Sequence, residues 1–148
     1  MVQAFVVDAS VLIQGYIQDA QTAYVLTLLK SVTDDEPTVL HVPEFCLLEC
    51  ANILWKQVRF QGASVESVNK ALARLDETPL TVHPARNLLS RALGIGLDNE
   101  LAVYDSIYIA LAQSSSLPMI TVDARQIKAA QAAGITLKAI TEFPPFVS

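Results

Sequence analysis

The chain has 148 residues, of which 52% are hydrophobic and 17% charged, with a formal net charge of −5. That length suits one domain with its own core, and the apolar content excludes a disordered chain. The charge excludes a protein that simply coats nucleic acid, since such proteins are basic. It is compatible with an acidic surface for a basic partner, or with negative charge gathered to bind metal.

The longest apolar runs, such as 101–112 and 119–122, are too short and too interrupted to span a bilayer. No basic segment precedes the first apolar stretch, which ends at Asp8, so a cytoplasmic protein without a signal peptide is expected. Cys46 and Cys50 lie four apart in a helical pattern and could join His41 in a metal cluster. No fourth soft ligand lies nearby and His83 is remote in sequence, so the preferred reading is two buried thiols acting as small hydrophobes. No disulfide framework is implied, in agreement with a reducing compartment.

No repeat, low-complexity tract or long linker divides the chain, and 1–148 reads as one domain with an irregular tail from about 140. Apolar runs of strand length alternate with helical patterns, the signature of β-α units and a parallel sheet. In chain order the pattern predicts a strand at 4–7, a short helix after Asp8 and a helix at 19–32 closed by the acidic turn Asp34-Asp35-Glu36-Pro37. A strand at 38–42 and a helix at 44–60 follow, the helix ended by Gly62. Ser64 opens the next helix, whose apolar stripe is Val65, Val68, Leu72 and Leu75. A short strand at 80–82, a helix at 84–93, a helix at 101–113, a strand at 119–122, a helix at 124–133 stopped by Gly134 and a last strand at 135–139 complete the series.

Several of these elements carry a carboxylate where the pattern expects an apolar or neutral residue. Asp8 and Asp123 each end a strand after an apolar run. In an open parallel sheet the carboxyl ends of the strands share one edge, where sites form. Each also has a plain alternative as a helix N-cap. Asp105 lies on a helix so nearly apolar all round that it should be largely buried, and an isolated buried carboxylate needs a cation or donors. A structural buried Asp is the alternative there. Glu49 sits in another helix with few polar residues, and taken alone it reads more readily as a solvent-facing position.

Carboxylates converging without a counter-ion raise one another's pKa values, and a hard divalent ion such as Mg²⁺ or Mn²⁺ removes the conflict. No glycine-rich phosphate loop is present, there is no nucleophile elbow around Ser10, and neither histidine lies in a triad motif. Metal-assisted hydrolysis is the chemistry these residues support.

The sequence resembles a PIN domain, in particular the VapC-type toxins of bacterial toxin–antitoxin systems. The resemblance rests on Val6-Val7-Asp8-Ala9-Ser10-Val11-Leu12, on Pro43 leading to Glu49-Cys50-Ala51-Asn52-Ile53-Leu54, on Tyr104-Asp105-Ser106-Ile107-Tyr108-Ile109-Ala110-Leu111-Ala112, and on Leu117-Pro118-Met119-Ile120-Thr121-Val122-Asp123. It implies a single α/β domain with a central parallel β-sheet flanked by helices. It also implies a Mg²⁺- or Mn²⁺-dependent endoribonuclease, a homodimer, and a small antitoxin that blocks the cleft. By resemblance Asp8, Glu49, Asp105 and Asp123 are the catalytic and metal-binding quartet, with Asp8, Glu49 and Asp105 as the main metal shell. Asp123 would hold a second ion or orient water, and Ser10 is an accessory hydroxyl. Lys56, Arg59, Arg125 and Lys128 could contact RNA phosphates, or stand as ordinary exposed helix charges. Two other classes remain open: a PIN-like binding and dimerisation module without catalysis, and a metal-dependent phosphatase. The phosphatase fits less well because Ser10 stands where a second Asp would be wanted.

Overall fold

The computed structural model describes residues 2–147. β1 (Ala4–Val7) is a run of β-favouring Phe and Val, and it sits inside a four-stranded parallel sheet of order β3-β2-β1-β4. β2 (Val39–Pro43) pairs with β1 in the register Ala4–Val39, Phe5–Leu40, Val6–His41. β3 (Thr81–His83) takes the outer edge beside β2. β4 (Met119–Ile120) lies on the other side of β1, with Val6 opposite Met119 and Val7 opposite Ile120. The ends of β1 and β4 therefore stand side by side, and the next residues along, Asp8 and Thr121, leave the sheet at the same edge.

Seven α-helices accompany the sheet among the described residues: α1 (Ala9–Leu12), α2 (Thr22–Ser31), α3 (Cys46–Gln61), α4 (Val65–Asp76), α5 (Leu89–Asn99), α6 (Val103–Ser115) and α7 (Ala124–Ala132). α6 is the central one. Every residue from Ser106 to Ala112 is buried, as its near-uniform apolar sequence requires. Its partners in the core include Val6, Val7, Leu12, Leu28, Leu40, Val42, Met119 and Ile120. Cys46 and Cys50 are free thiols buried in the same core, where they act as small hydrophobes.

Helix ends follow local chemistry. Gly62 closes α3 in the left-handed conformation at φ 75°, and the Ser64 side chain caps α4 by accepting from the Ser67 N–H at 3.1 Å. Two expectations are corrected. The last strand at 135–139 reduces to one bridge between Met119 and Leu137, because hydrogen bonds from Met119 to Thr136 and from Lys138 to Met119 complete only one residue's ladder. The helix expected from Pro84 begins as a 3-10 turn, Ala85–Leu88, and α5 then runs on to Asn99. The tail from about residue 140 begins with a 3-10 turn at Ile140–Glu142 and is held against the domain: Phe143 packs edge-on against Phe5 with centroids 5.9 Å apart, and the Phe146 N–H donates to the Ala23 carbonyl. Ser148 lies outside the described residues.

α5 turns sharply into α6, and the Leu101 N–H donates to the Gly96 carbonyl at 3.0 Å. A Cβ on Gly96 would stand 2.6 Å from the Leu101 carbonyl oxygen and 3.2 Å from Ser106 Oγ, whereas one on Gly94 would meet open space. Gly96→Ala is therefore expected to destabilise the fold by about 1–3 kcal/mol through overpacking. Gly94→Ala should instead stabilise the helix, by roughly 0.5–1 kcal/mol. Thermal unfolding of the pair checks this, and equal shifts would contradict the close approach.

Candidate active site

Each of the four acidic residues stands at the start of a helix. Asp8 leaves β1 and caps α1, its Oδ1 accepting from the Val11 N–H at 3.0 Å. Asp123 caps α7, its Oδ1 accepting from the Gln126 N–H at 2.9 Å. Glu49 lies in the first turn of α3 and Asp105 in the first turn of α6. The capping alternative is thus realised at both Asp8 and Asp123, and it leaves both in electrostatic reach of the other acids. Four helix N-termini each lend partial positive charge to a carboxylate.

Polar side chains that the sequence reading did not single out hold this edge together. Thr121 Oγ1 lies 3.1 Å from Asp8 Oδ2 and 2.7 Å from Gln126 Oε1, and it accepts the Asp123 N–H at 3.1 Å. Gln126 Nε2 donates in turn to the Asp105 carbonyl at 3.0 Å. Thr121 and Gln126 are buried, so this chain ties β1, the end of β4, α6 and α7 into one frame. Thr121 has one hydroxyl proton and two acceptors in reach. On the other side of the site, the buried Tyr108 hydroxyl donates to Glu49 Oε1 at 2.8 Å. Gln126 could have been suspected from its spacing, three and four residues ahead of the buried Ala129 and Ala130 on α7.

The charges respond to this crowding. Burial pushes the Asp8 carboxyl up to about 6; hydrogen bonds from Ser10, Val11 and Thr121 pull it down only in part, and the Asp123 charge adds to the rise. Burial likewise pushes Glu49 up to about 7, against the Tyr108 hydrogen bond and with help from the charges of Asp105 and Asp8. Asp105 is raised by burial and then by Asp123, while Arg125 opposes the rise. Ser10 Oγ lies 3.0 and 2.9 Å from the two Asp8 oxygens, so it is part of the Asp8 environment.

Donor demand is uneven across the quartet. Both oxygens of Asp8 are engaged, but Glu49 Oε2, Asp123 Oδ2 and the Asp105 carboxylate accept no hydrogen bond among the described residues. Nor do any three His, Cys, Asp or Glu side chains among the described residues approach closely enough to enclose an ion. Glu49 and Asp105 are half-buried at this edge. The two histidines lie elsewhere: neighbouring strands β2 and β3 bring His41 Nδ1 within 2.8 Å of His83 Nε2, a meeting that 42 residues of separation concealed.

An acidic edge on a parallel α/β sheet is the class this geometry defines. The chain belongs to the PIN domain family, whose model matches residues 5–132. A curated relative, Ribonuclease VapC3 of Pyrobaculum aerophilum, is 28% identical over 120 residues, covering 80% of this chain and 88% of that protein. A protein of known crystal structure from the same organism superposes with a TM-score of 0.71 at 21% identity, covering 95% of this chain and 85% of that one. A chain of a toxin–antitoxin complex from Klebsiella pneumoniae superposes with a TM-score of 0.55 at 14% identity, covering 83% and 89%. The two structural likenesses show the shared fold.

A carboxyl with a higher pKa folded than unfolded binds more protons in the folded state, so stability is lost as pH rises toward the folded value. For Asp8 that window runs from its ordinary value of 3.8 to about 6, and the loss is of the order of 3 kcal/mol. In chelator, Asp8→Asn should melt above the wild type at pH 8, with the gap closing toward pH 4. Parallel pH profiles of melting temperature for the two proteins would contradict this account.

Proposed function

We propose that the chain is a divalent-metal-dependent endoribonuclease of the toxin type, hydrolysing RNA phosphodiester bonds at Asp8, Glu49, Asp105 and Asp123. The observation that carries this reading is the charge conflict. Burial and mutual repulsion raise Asp8, Glu49 and Asp105 together, while several of their oxygens accept no protein hydrogen bond. An all-oxygen, anionic donor set fits Mg²⁺ or Mn²⁺. Asp8, Glu49 and Asp105 would hold the ion, Asp123 would hold a second ion or orient solvent, and Ser10 would be accessory. When bound, the ion supplies neutralisation of phosphate charge and a more acidic water.

The chain's own residues prepare that chemistry. Tyr108 holds Oε1 of Glu49 and so restricts where Oε2 can go. The Thr121–Gln126 frame keeps Asp8, Asp123 and the start of α6 in fixed relation. Burial pushes the Asp8 carboxyl up to about 6 and the Glu49 carboxyl up to about 7, so each of these two side chains can carry a proton when no ion is held.

The relative named a ribonuclease supports RNA as substrate, and the neighbour from a toxin–antitoxin complex supports a protein antitoxin as partner. A homodimer belongs to the same proposal. Leu89, Leu93 and Leu97 lie at one-turn spacing along α5 and are all exposed, a stripe suited to a second copy. No helix among the described residues is long and apolar enough to cross a membrane, and we place the protein in the cytoplasm as part of this reading.

The test is cleavage of a structured RNA pool by protein purified free of any antitoxin, with light scattering to give its mass. Mn²⁺ should support cutting by the wild type and EDTA should stop it. Asp8→Asn and Asp105→Asn should each lose at least about 100-fold, since ligands and their supports set metal affinity and activity. Folded, Mn²⁺-loaded dimer that cuts nothing would overturn the enzyme and leave a binding module.

A further inference from the structure

A cavity of about 450 Å³ opens beside the carboxylates, lined by Phe45, Leu48, Glu49, Asn52 and Tyr104. It shares Glu49 with the candidate active site, and Tyr104 directly precedes Asp105 on α6. The Phe45 and Tyr104 rings meet edge to face, with centroids 6.2 Å apart and planes at 81°. That contact fixes the Tyr104 ring, yet 63% of the residue remains exposed. Asn52 lies one turn beyond Glu49 on α3, and its exposed side-chain amide makes no hydrogen bond among the described residues.

We propose that this cavity is a nucleobase subsite: an unpaired base next to the scissile phosphate stacks on Tyr104, while the Asn52 amide meets its polar edge. The inference rests on the nuclease reading above, because the shared Glu49 is what places a phosphate within one nucleotide of the cavity. An exposed, immobilised aromatic ring beside an uncommitted amide is the composition that single-stranded RNA sites use, stacking for affinity and edge hydrogen bonds for choice of base. An amide offers both a donor and an acceptor, so it can complement the edge of a base. Tyr104 and Asn52 are thus positioning residues for substrate and take no part in moving protons.

The test uses the full-length protein and a short RNA oligonucleotide, with binding read by fluorescence anisotropy in EDTA, where it is not cut, and cleavage kinetics measured on the same RNA with Mn²⁺. Tyr104→Ala should weaken binding about 10-fold, within the range for one base–aromatic stack, and raise KM by a similar factor with kcat nearly unchanged. Tyr104→Phe should restore both, which separates stacking from a folding defect. An abasic position in the oligonucleotide should cost the wild type as much as Tyr104→Ala does, and should cost that variant little more. Wild-type cleavage with binding and KM unchanged in Tyr104→Ala would overturn the subsite, assign the cavity to a protein segment and leave the nuclease standing. Tyr104-dependent binding without any wild-type cleavage would overturn the nuclease, and with it a subsite placed beside a scissile phosphate.

Discussion

Four carboxylates at one edge of a sheet repel each other, and much of this molecule's architecture is organised around holding them there. The fold offsets part of the repulsion by setting each acid at the start of a helix, where backbone N–H groups and the helix dipole favour negative charge. Burial first, and the neighbouring charges after it, raise the proton affinity of Asp8, Glu49 and Asp105. A protein with no use for the charges could replace Asp8 and Asp123 by neutral caps such as Ser or Asn without losing the helices they cap.

The scaffold that makes the arrangement possible is α6. Because its residues from Ser106 to Ala112 are all buried, the helix cannot slide or rotate without emptying the core, so Asp105 in its first turn is placed by the packing behind it. Tyr108, one turn further on, carries the same rigidity across to Glu49. The Thr121–Gln126 chain does the equivalent for Asp8 and Asp123. Through these buried polar contacts a hydrophobic core fixes the positions of charged groups at its rim.

How much of this was legible in the sequence depends on how local each signal is. Asp8 and Asp123 stood out because each interrupts a strand-length apolar run, and Asp105 because it lies on a helix apolar all round. Those patterns belong to the element itself, and the parallel sheet that brings the strand ends together follows from the alternation of strands and helices. Glu49 was not distinguishable from a solvent-facing residue without the family resemblance, since its partner Tyr108 is 59 residues away. Thr121 and Gln126 read as ordinary polar residues because their hydrogen bonds exist only after β4 and α7 have packed against β1 and α6. The last strand failed for a similar reason: an apolar run at 135–139 satisfies strand propensity, but its pairing with β4 is limited to a single bridge.

If the chain is the metal-dependent nuclease proposed above, a divalent cation takes the place of protons at this edge. Isothermal titration with Mn²⁺ at pH 6.5, repeated in buffers of different ionisation enthalpy, measures how many protons leave as the ion binds. With Asp8 near 6 and Glu49 near 7, the account predicts release of about one proton per ion at that pH, falling toward zero by pH 8.5. Asp8→Asn and Glu49→Gln should each diminish it. Binding of Mn²⁺ at pH 6.5 without proton release, or no binding at all, would contradict the account.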